Sequence, residues 1–179
     1  PNDTEIIAGS PVFRRIFIDQ AISQYSFDYI ELLRNYKRIL KQRNALFKTD
    51  YTSKEKRAWD EQFAKVAAKI IKFRQKYLIN FAPLLENYYK EISGDKENLS
   101  MKYNYSFPND SDDIISNLMD HLLHIEEQEK NQERSLAGPH LDDIDIFIDT
   151  HSTRNFSSQG QKRSIAIAMR LAQTELIKE

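Results

Sequence analysis

The chain has 179 residues with 26 Lys and Arg against 27 Asp and Glu, a formal net charge of -1. That length suits one compact domain, or a domain with an appendage, and near-neutrality excludes a generally basic nucleic-acid coat. Cysteine is absent, which removes disulfides, thiolate zinc sites and cysteine nucleophiles and makes a reducing, cytoplasmic setting the default.

No apolar run approaches the roughly 20 residues of a membrane span, so no membrane partner is expected. The start, Pro1-Asn2-Asp3-Thr4-Glu5, is acidic rather than a basic leader. Pro1 in place of Met, and a last stretch Leu176-Ile177-Lys178-Glu179 inside a helical pattern with no stop signal, predict a piece of a longer polypeptide.

In chain order, Ile22, Tyr25, Tyr29, Leu32, Tyr36, Ile39 and Leu46 keep a three-four spacing that only Arg43 interrupts, predicting a long helix after Ser26. Arg34, Lys37, Lys41 and Lys48 fall on its other faces. Ser53 can cap a second long helix, with a stripe through Trp59, Phe63, Val66, Ile70, Tyr77, Phe81 and Leu84. The two are expected to pair antiparallel, with Pro83 kinking or ending the second. Met101, Tyr103, Tyr105 and Phe107 alternate with polar residues, the period of a half-buried strand. A third helix is expected from Asp112 to about Asn131, with Ile115, Leu118, Leu122 and Ile125 inward.

Ser135-Leu136-Ala137 reads as extended and Gly138-Pro139 as a turn, and alternating Ile144, Ile146 and Ile148 read as a second strand. A final helix places Ile165, Ala168, Met169, Ala172 and Leu176 on one face. These elements predict an α-rich α+β fold divided at 1–25, 26–131 and 132–179, the middle part being a helical lobe.

Charge is uneven along this plan. Basic residues outnumber acidic ones between Arg14 and Lys76, whereas between Asp110 and Asp149 only Lys130 and Arg134 oppose a dozen carboxylates. The N-terminal half is therefore where phosphate contact is expected.

The richest chemical signal is Ser157-Ser158-Gln159-Gly160-Gln161-Lys162-Arg163, hydroxyls and a glycine just before an amphipathic helix. Unpaired N–H groups at a helix start, with the positive end of the dipole, favour a phosphate. By itself the cluster also reads as an ordinary capped helix.

Its context decides between the two. The run resembles the ABC-ATPase signature in the S-Q-G-Q form typical of the RecF family. Residues Pro1 to Asp19, with Ile6-Ile7-Ala8-Gly9-Ser10-Pro11 and Arg14-Arg15, resemble that family's P-acid, aliphatic pair, G-S-P, R-R pattern, with Asn2 in the place of the usual acid. Tyr36-Lys37-Arg38-Ile39-Leu40-Lys41-Gln42-Arg43-Asn44 is similar to its Y-x-R-x-L-x-Q-R-N helix. Gly138-Pro139-His140-Leu141-Asp142-Asp143 is similar to its G-P-H-R-D-D, with Leu141 where an arginine is usual. The four blocks stand in the family's order and span nearly the whole chain.

The resemblance implies part of an ATP-dependent DNA-binding repair protein of ABC type. Its signature, Ser157, Ser158, Gln159, Gly160 and Gln161, would face ATP and magnesium held by a second copy, in an ATP-dependent homodimer. RecO and RecR are the implied partners, at gapped or double-stranded DNA, in loading the RecA recombinase. What is missing also counts. No Gly begins a G-x-x-x-x-G-K-[S/T] loop. Ile144-Asp145-Ile146-Phe147-Ile148-Asp149 imitates a Walker B strand, but Asp145 breaks the continuous apolar run that a buried parallel strand needs. No catalytic residue is therefore assigned to this chain, and ATP is expected to be gripped mainly by other parts of the protein.

Arg14, Arg15, Arg34, Lys37, Arg38, Lys41 and Arg43, with Lys54, Lys56 and Arg57, are the candidates for DNA phosphate contact; a solvated helix face is the competing reading. Arg14 and Arg15 also fit internal packing. His121, His124 and Glu127 share a helix face but lack supporting carboxylates elsewhere, so no metal site is assigned. Two other functions fit the residues: a non-enzymatic helical interaction module, and a head fragment of another SMC-like ATPase. The second is disfavoured because about a hundred residues between the end motifs are too few for a long coiled coil.

Overall fold

The computed structural model describes residues 3–178, and the side chains of 4–177. In chain order the elements are helices α1 (Asp3–Ala8), α2 (Pro11–Ser23), α3 (Phe27–Leu46) and α4 (Ser53–Ser93), strand β1 (Leu99–Asn104), helices α5 (Ile114–His124) and α6 (Glu126–Gln132), strands β2 (Asp143–Ile148) and β3 (His151–Ser152), and helices α7 (Thr153–Phe156) and α8 (Gln159–Lys178). Helices with one small antiparallel sheet make the α-rich α+β class expected.

The elements form two compact units. One holds the stretch up to Tyr25, Arg74–Asn104 and the stretch from Asp143 onward; the other holds Ser26–Phe73 and Tyr105–Asp142. Residues of the run 26–131 fall in both units, and α4 contributes to both. Within the first unit, the Arg74 guanidinium of α4 donates to both oxygens of the Asp19 carboxylate on α2 at 2.9 Å each. Phe81 continues the attachment against Phe17, with ring centroids 5.9 Å apart.

In the unit formed by Ser26–Phe73 and Tyr105–Asp142, the stripe of α3 works as its spacing predicts. Ser26 caps the helix by accepting the Tyr29 N–H at 3.2 Å, and Tyr29, Tyr36 and Ile39 are buried. Tyr29 meets Phe73, Tyr36 meets Phe63, and Arg43 meets Asp60. Partners on α4 fall as positions on α3 rise, so the helices run antiparallel. Burying a side chain such as Phe63 or Ile70 completely, as here, contributes about 1.5–3 kcal/mol.

Three local expectations need correction. The cap of α4 is Thr52 rather than Ser53: the Thr52 hydroxyl accepts the Glu55 N–H at 3.2 Å while Glu55 accepts the Thr52 N–H at 2.8 Å, a capping box. Of the two outcomes expected at Pro83, a kink or an end, the ending does not occur, since α4 runs through it. Pro83 and Ile79, one turn before it, are exposed, so water can bond the Ile79 carbonyl that proline leaves without its N–H. The third helix is two, α5 and α6, separated at Ile125. Its start is Asp113, whose carboxylate accepts the Ile115 and Ser116 N–H groups at 3.1 Å each.

In the other unit the core joins Ile6 and Ile7 of α1, Phe17, Ile18 and Ile22 of α2, Phe81 and Leu85 of α4, and Ile165, Ala168 and Met169 of α8, all buried. The strand expected to reach Phe107 stops at Asn104. Leu99, Met101 and Tyr103 of β1 lie opposite Ile148, Ile146 and Ile144 of β2, in antiparallel register. The three isoleucines are buried while the residues between them are not. Because β2 is antiparallel to both its neighbours and Asp145 bonds Asn104 and Arg154, the Walker B imitation is only an imitation.

Candidate functional site

The start of α8 is built by a compact strand-and-turn approach. Asp149, at φ 52, turns the chain out of β2, and its N–H donates to the Asn98 carbonyl at 2.7 Å. Thr153, buried at the start of α7, donates to the Ile146 carbonyl at 3.0 Å. One turn later Ser157 donates back to the Thr153 carbonyl. The segment that follows is thereby fixed to the sheet.

Ser158 and Gln161 then close the helix start reciprocally. The Gln161 N–H donates to Ser158 Oγ at 3.1 Å and the Ser158 N–H donates to Gln161 Oε1 at 2.8 Å, the two bonds of a capping box. Lys162 N–H reaches the Ser158 carbonyl at 3.0 Å. This leaves the N–H groups of Gln159 and Gly160 with no partner among the described residues, on exposed residues at the positive end of a 20-residue helix.

Gly160 carries the sharper observation. A Cβ there would meet nothing closer than Ser158 Oγ at 3.8 Å, so the chain's own packing does not demand glycine. The space over Gly160 is open, so something from outside has room to approach the backbone there. Gly9 is the contrast: its Cβ would sit 2.4 Å from the Glu5 carbonyl oxygen and 2.9 Å from the Phe13 ring, so the turn between α1 and α2 needs it. A cavity of about 550 Å³, lined by Glu5, Gly9, Gln159, Lys162 and Arg163 among others, lies beside the α8 start. The site thus offers two free N–H groups, the Ser158 hydroxyl and two cationic side chains, a set suited to a polyphosphate.

The structure separates the DNA-contact candidates. Arg14, Arg43 and Lys56 are buried and leave that set. Arg14 donates to Asp143 at 2.8 and 3.1 Å and to the carbonyls of Gly9 and Ile6 at 2.9 and 3.1 Å. Burial pushes the Asp143 carboxyl up, but the hydrogen bonds from Arg14 and Arg154 outweigh it and hold the group below the ordinary aspartate range. Arg43 is held by Asp60, Glu129 and Ser135, and Lys56 by Asp60 and Glu126. The family's R-N pair is therefore architectural here: Arg43 and Asn44 together secure Ser135, which Asn44 accepts from at 2.8 and 2.7 Å.

Arg15 is half-buried, while Arg34, Lys37, Arg38, Lys41, Lys54 and Arg57 are exposed. Arg34 pairs with Glu31, Arg38 with Asn35, and Arg57 with Glu61; Lys37 and Lys41 have no ion pair among the described residues. Sequence reasoning missed a second basic face, Lys65, Lys69 and Lys72 of α4, all exposed. A four-three lysine spacing in a stretch without acids from Gln62 to Leu85 was its signal. Asp113 lies close enough to feel the Lys72 charge.

The G-P-H segment is held inside its own unit. Gly138, at φ 122, has Phe63 and Tyr36 within 2.8 and 2.9 Å of where a Cβ would stand, and the Tyr36 hydroxyl and His140 Nδ1 lie 2.6 Å apart. Leu141 is exposed. On α5, burial lowers His121 below the usual imidazole range, helped by neighbouring His124. Among the described residues no group of three or more His, Cys, Asp or Glu side chains is placed to hold a metal ion, and no helix is long and apolar enough to cross a membrane.

The fold matches part of an ABC-type ATPase head. No family model matches the chain. It is 33% identical over 187 residues to the DNA replication and repair protein RecF of Cyanothece sp., covering 99% of this chain and 49% of that protein. The RecF of Heliobacterium modesticaldum is 34% identical over 183 residues, with 99% and 49% covered. A solved structure of the recombination mediator protein RecF with ATP, from the RecFOR pathway, superposes with a TM-score of 0.94 at 30% identity, covering 100% of this chain and 50% of that one. The chain is similar to RecF proteins along nearly its whole length and spans about half the length of the curated relatives it matches.

Proposed function

We propose that this chain is the signature-bearing part of a RecF-like, ATP-switched DNA-repair protein. The observation that carries the reading is the start of α8, where a Ser158–Gln161 capping box leaves the N–H groups of Gln159 and Gly160 facing outward, beside a glycine that internal packing does not require. Such a helix start serves a phosphate that another polypeptide presents. The signature, Ser157 to Gln161, then contacts the γ-phosphate of ATP held with magnesium by a second copy, and ATP binding becomes association energy for a homodimer.

The exposed basic face of α3, Arg34, Lys37, Arg38 and Lys41, supplies phosphate contacts to double-stranded or gapped DNA, with Lys65, Lys69 and Lys72 of α4 as a second face. Arg15, Lys54 and Arg57 stand as peripheral members. Partnership with RecR and RecO, RecA loading and a cytoplasmic location follow from family kinship; the RecF-ATP structure that this chain resembles is described within the RecFOR pathway. The isolated 179-residue chain is expected to hydrolyse no ATP, since it holds neither a phosphate-cradling lysine loop nor a magnesium-binding acid in a suitable strand.

Ser158→Arg in the full-length protein tests the reading. A bulky cation there fills the place where the neighbouring γ-phosphate docks, so ATP-dependent dimerisation is abolished while ATP binding by one head stays nearly intact. Surviving dimerisation, with or without loss of monomer ATP affinity, contradicts it.

A further inference from the structure

We propose that Glu97, in the turn between α4 and β1, is a positioning residue that fixes the signature turn through Gln161. The inference rests on the trans-acting signature reading and adds a residue outside the motif to it. Glu97 Oε1 accepts Gln161 Nε2 at 2.7 Å. Its Oε2 accepts the hydroxyl of Tyr89 at 2.5 Å, a residue of α4 only 1% exposed. The other end of the same Gln161 amide, Oε1, accepts the Ser158 N–H at 2.8 Å.

The chain Tyr89, Glu97, Gln161, Ser158 has one consistent direction. Gln161 has a single amide group to orient, and its two ends are chemically distinct. A carboxylate can only accept from the NH2 end, so Glu97 forces the carbonyl end toward Ser158. Flipped, the amide would present NH2 to the Ser158 N–H, two donors facing each other, and the box would open. Glu97 therefore selects the rotamer in which Ser158 N–H is satisfied internally.

Glu97 is itself fixed. Tyr89 anchors it from the core, and next to it Asn98 N–H donates to Asp149 Oδ1 at 3.1 Å while Asp149 N–H donates to the Asn98 carbonyl at 2.7 Å. Tyr89 and Glu97 lie outside the motif by which a signature is recognised, but in space they form its support. A site held by such a supporting layer keeps its donors in place before the ligand arrives, so less order has to be imposed on binding.

The test compares Glu97→Ala with Glu97→Gln in the full-length protein, with magnesium and ATP as the probe and Ser158→Arg as reference. A glutamine at 97 keeps a carbonyl for Gln161 Nε2, while its NH2 can donate to the Tyr89 oxygen. Glu97→Ala should weaken ATP-dependent dimerisation roughly three- to ten-fold, the effect of one such hydrogen bond. Glu97→Gln should restore it to within about two-fold of the original, and ATP affinity of the single head should be unchanged in both.

Three results overturn the proposal: Glu97→Ala dimerising as the original does, Glu97→Gln failing as Glu97→Ala does, or both variants losing monomer ATP affinity. If Ser158→Arg blocks dimerisation while Glu97→Ala does not, only Glu97's role falls. If neither variant affects it, the trans signature reading falls as well. Should Glu97→Ala not fold, Tyr89→Phe removes only the anchoring hydroxyl; it must then weaken dimerisation, and unchanged dimerisation overturns the proposal.

Discussion

Arg43 and Glu129 form an ion pair 2.6 Å long in which both side chains have 0% exposure. Arg43 also donates to Asp60 at 2.8 Å and Ser135 at 2.7 Å, and its guanidinium lies 5.1 and 5.2 Å from the Phe47 and Phe63 ring centres. Its burial works against the cation, but Glu129 and Asp60 outweigh that and keep its pKa above the ordinary arginine value. A single cation thus ties α3 to α4, α6 and the segment that leads to Gly138.

Arg43→Met should therefore destabilise the protein by about 3–5 kcal/mol, because it leaves the buried Glu129 carboxylate without its cation and Asp60 with Lys56 alone. Urea unfolding of the single variants and of Arg43→Met combined with Glu129→Leu measures this. The double variant should lose clearly less than the sum of the two singles. A loss below about 1 kcal/mol for Arg43→Met, the range of a surface pair, would show that the pair does not hold this unit together.

Arg43 also shows where sequence reasoning reached and where it stopped. The stripe of α3 and the inward face of α8 were legible because 3.6-residue periodicity needs no knowledge of the partner. Arg43 read as an interruption, and as a DNA contact, because its three partners lie 17, 86 and 92 positions away. For Arg14 the choice between internal packing and DNA contact stayed open for the same reason, its acid being 129 positions away. The continuation of α4 past Pro83 depends on which side of the helix meets water, and the pairing of Arg74 with Asp19 spans 55 positions; neither is encoded locally. The signature cluster was legible as a motif, but its support by Glu97 was not, since Glu97 and Gln161 are 64 positions apart.

Acid stability should depend on Asp143. Its folded-state pKa lies below the unfolded value, so the stabilisation is present above the unfolded pKa, about 3.9, and is lost as pH falls through the folded value. Asp143→Asn should cost about 1.5–3 kcal/mol at pH 7, as for hydrogen bonds to a charged group. The gap between variant and original should close as pH drops below about 4. Urea midpoints at several pH values decide; a gap that stays constant down to pH 2 would remove Asp143 from the acid response.

Tyr77 points the other way. Its hydroxyl is buried without a hydrogen-bond partner among the described residues, and burial drives its pKa far up. Tyr77→Phe should leave stability unchanged or raise it by up to about 1 kcal/mol, since an unsatisfied buried polar group is removed while the ring stays. The ring stacks on Phe81 at 5.1 Å. A thermal midpoint several degrees lower would mean that the hydroxyl is bonded after all.

On the DNA side, reversing Arg34, Lys37 and Lys41 to Glu in the full-length protein should weaken duplex binding. It should also flatten the salt dependence by up to about three in slope, one unit for each phosphate no longer neutralised. Sequence preference should stay as it is, because these contacts read no bases. Reversing Lys65, Lys69 and Lys72 in parallel shows which face dominates. Unchanged affinity and slope in both sets would leave both as solvated faces.

The most direct measurement of the central claim uses an ATP analogue with a photoreactive group on the γ-phosphate, applied to the full-length protein across a range of protein concentrations. The account predicts that the label lands on the peptide containing Ser157 to Lys162. It also predicts that labelling rises with dimer formation and vanishes for Ser158→Arg, while the analogue still binds the monomer. Labelling of that peptide at concentrations where the protein is monomeric, or labelling of the dimer that leaves it untouched, would contradict a signature that acts on the partner's nucleotide.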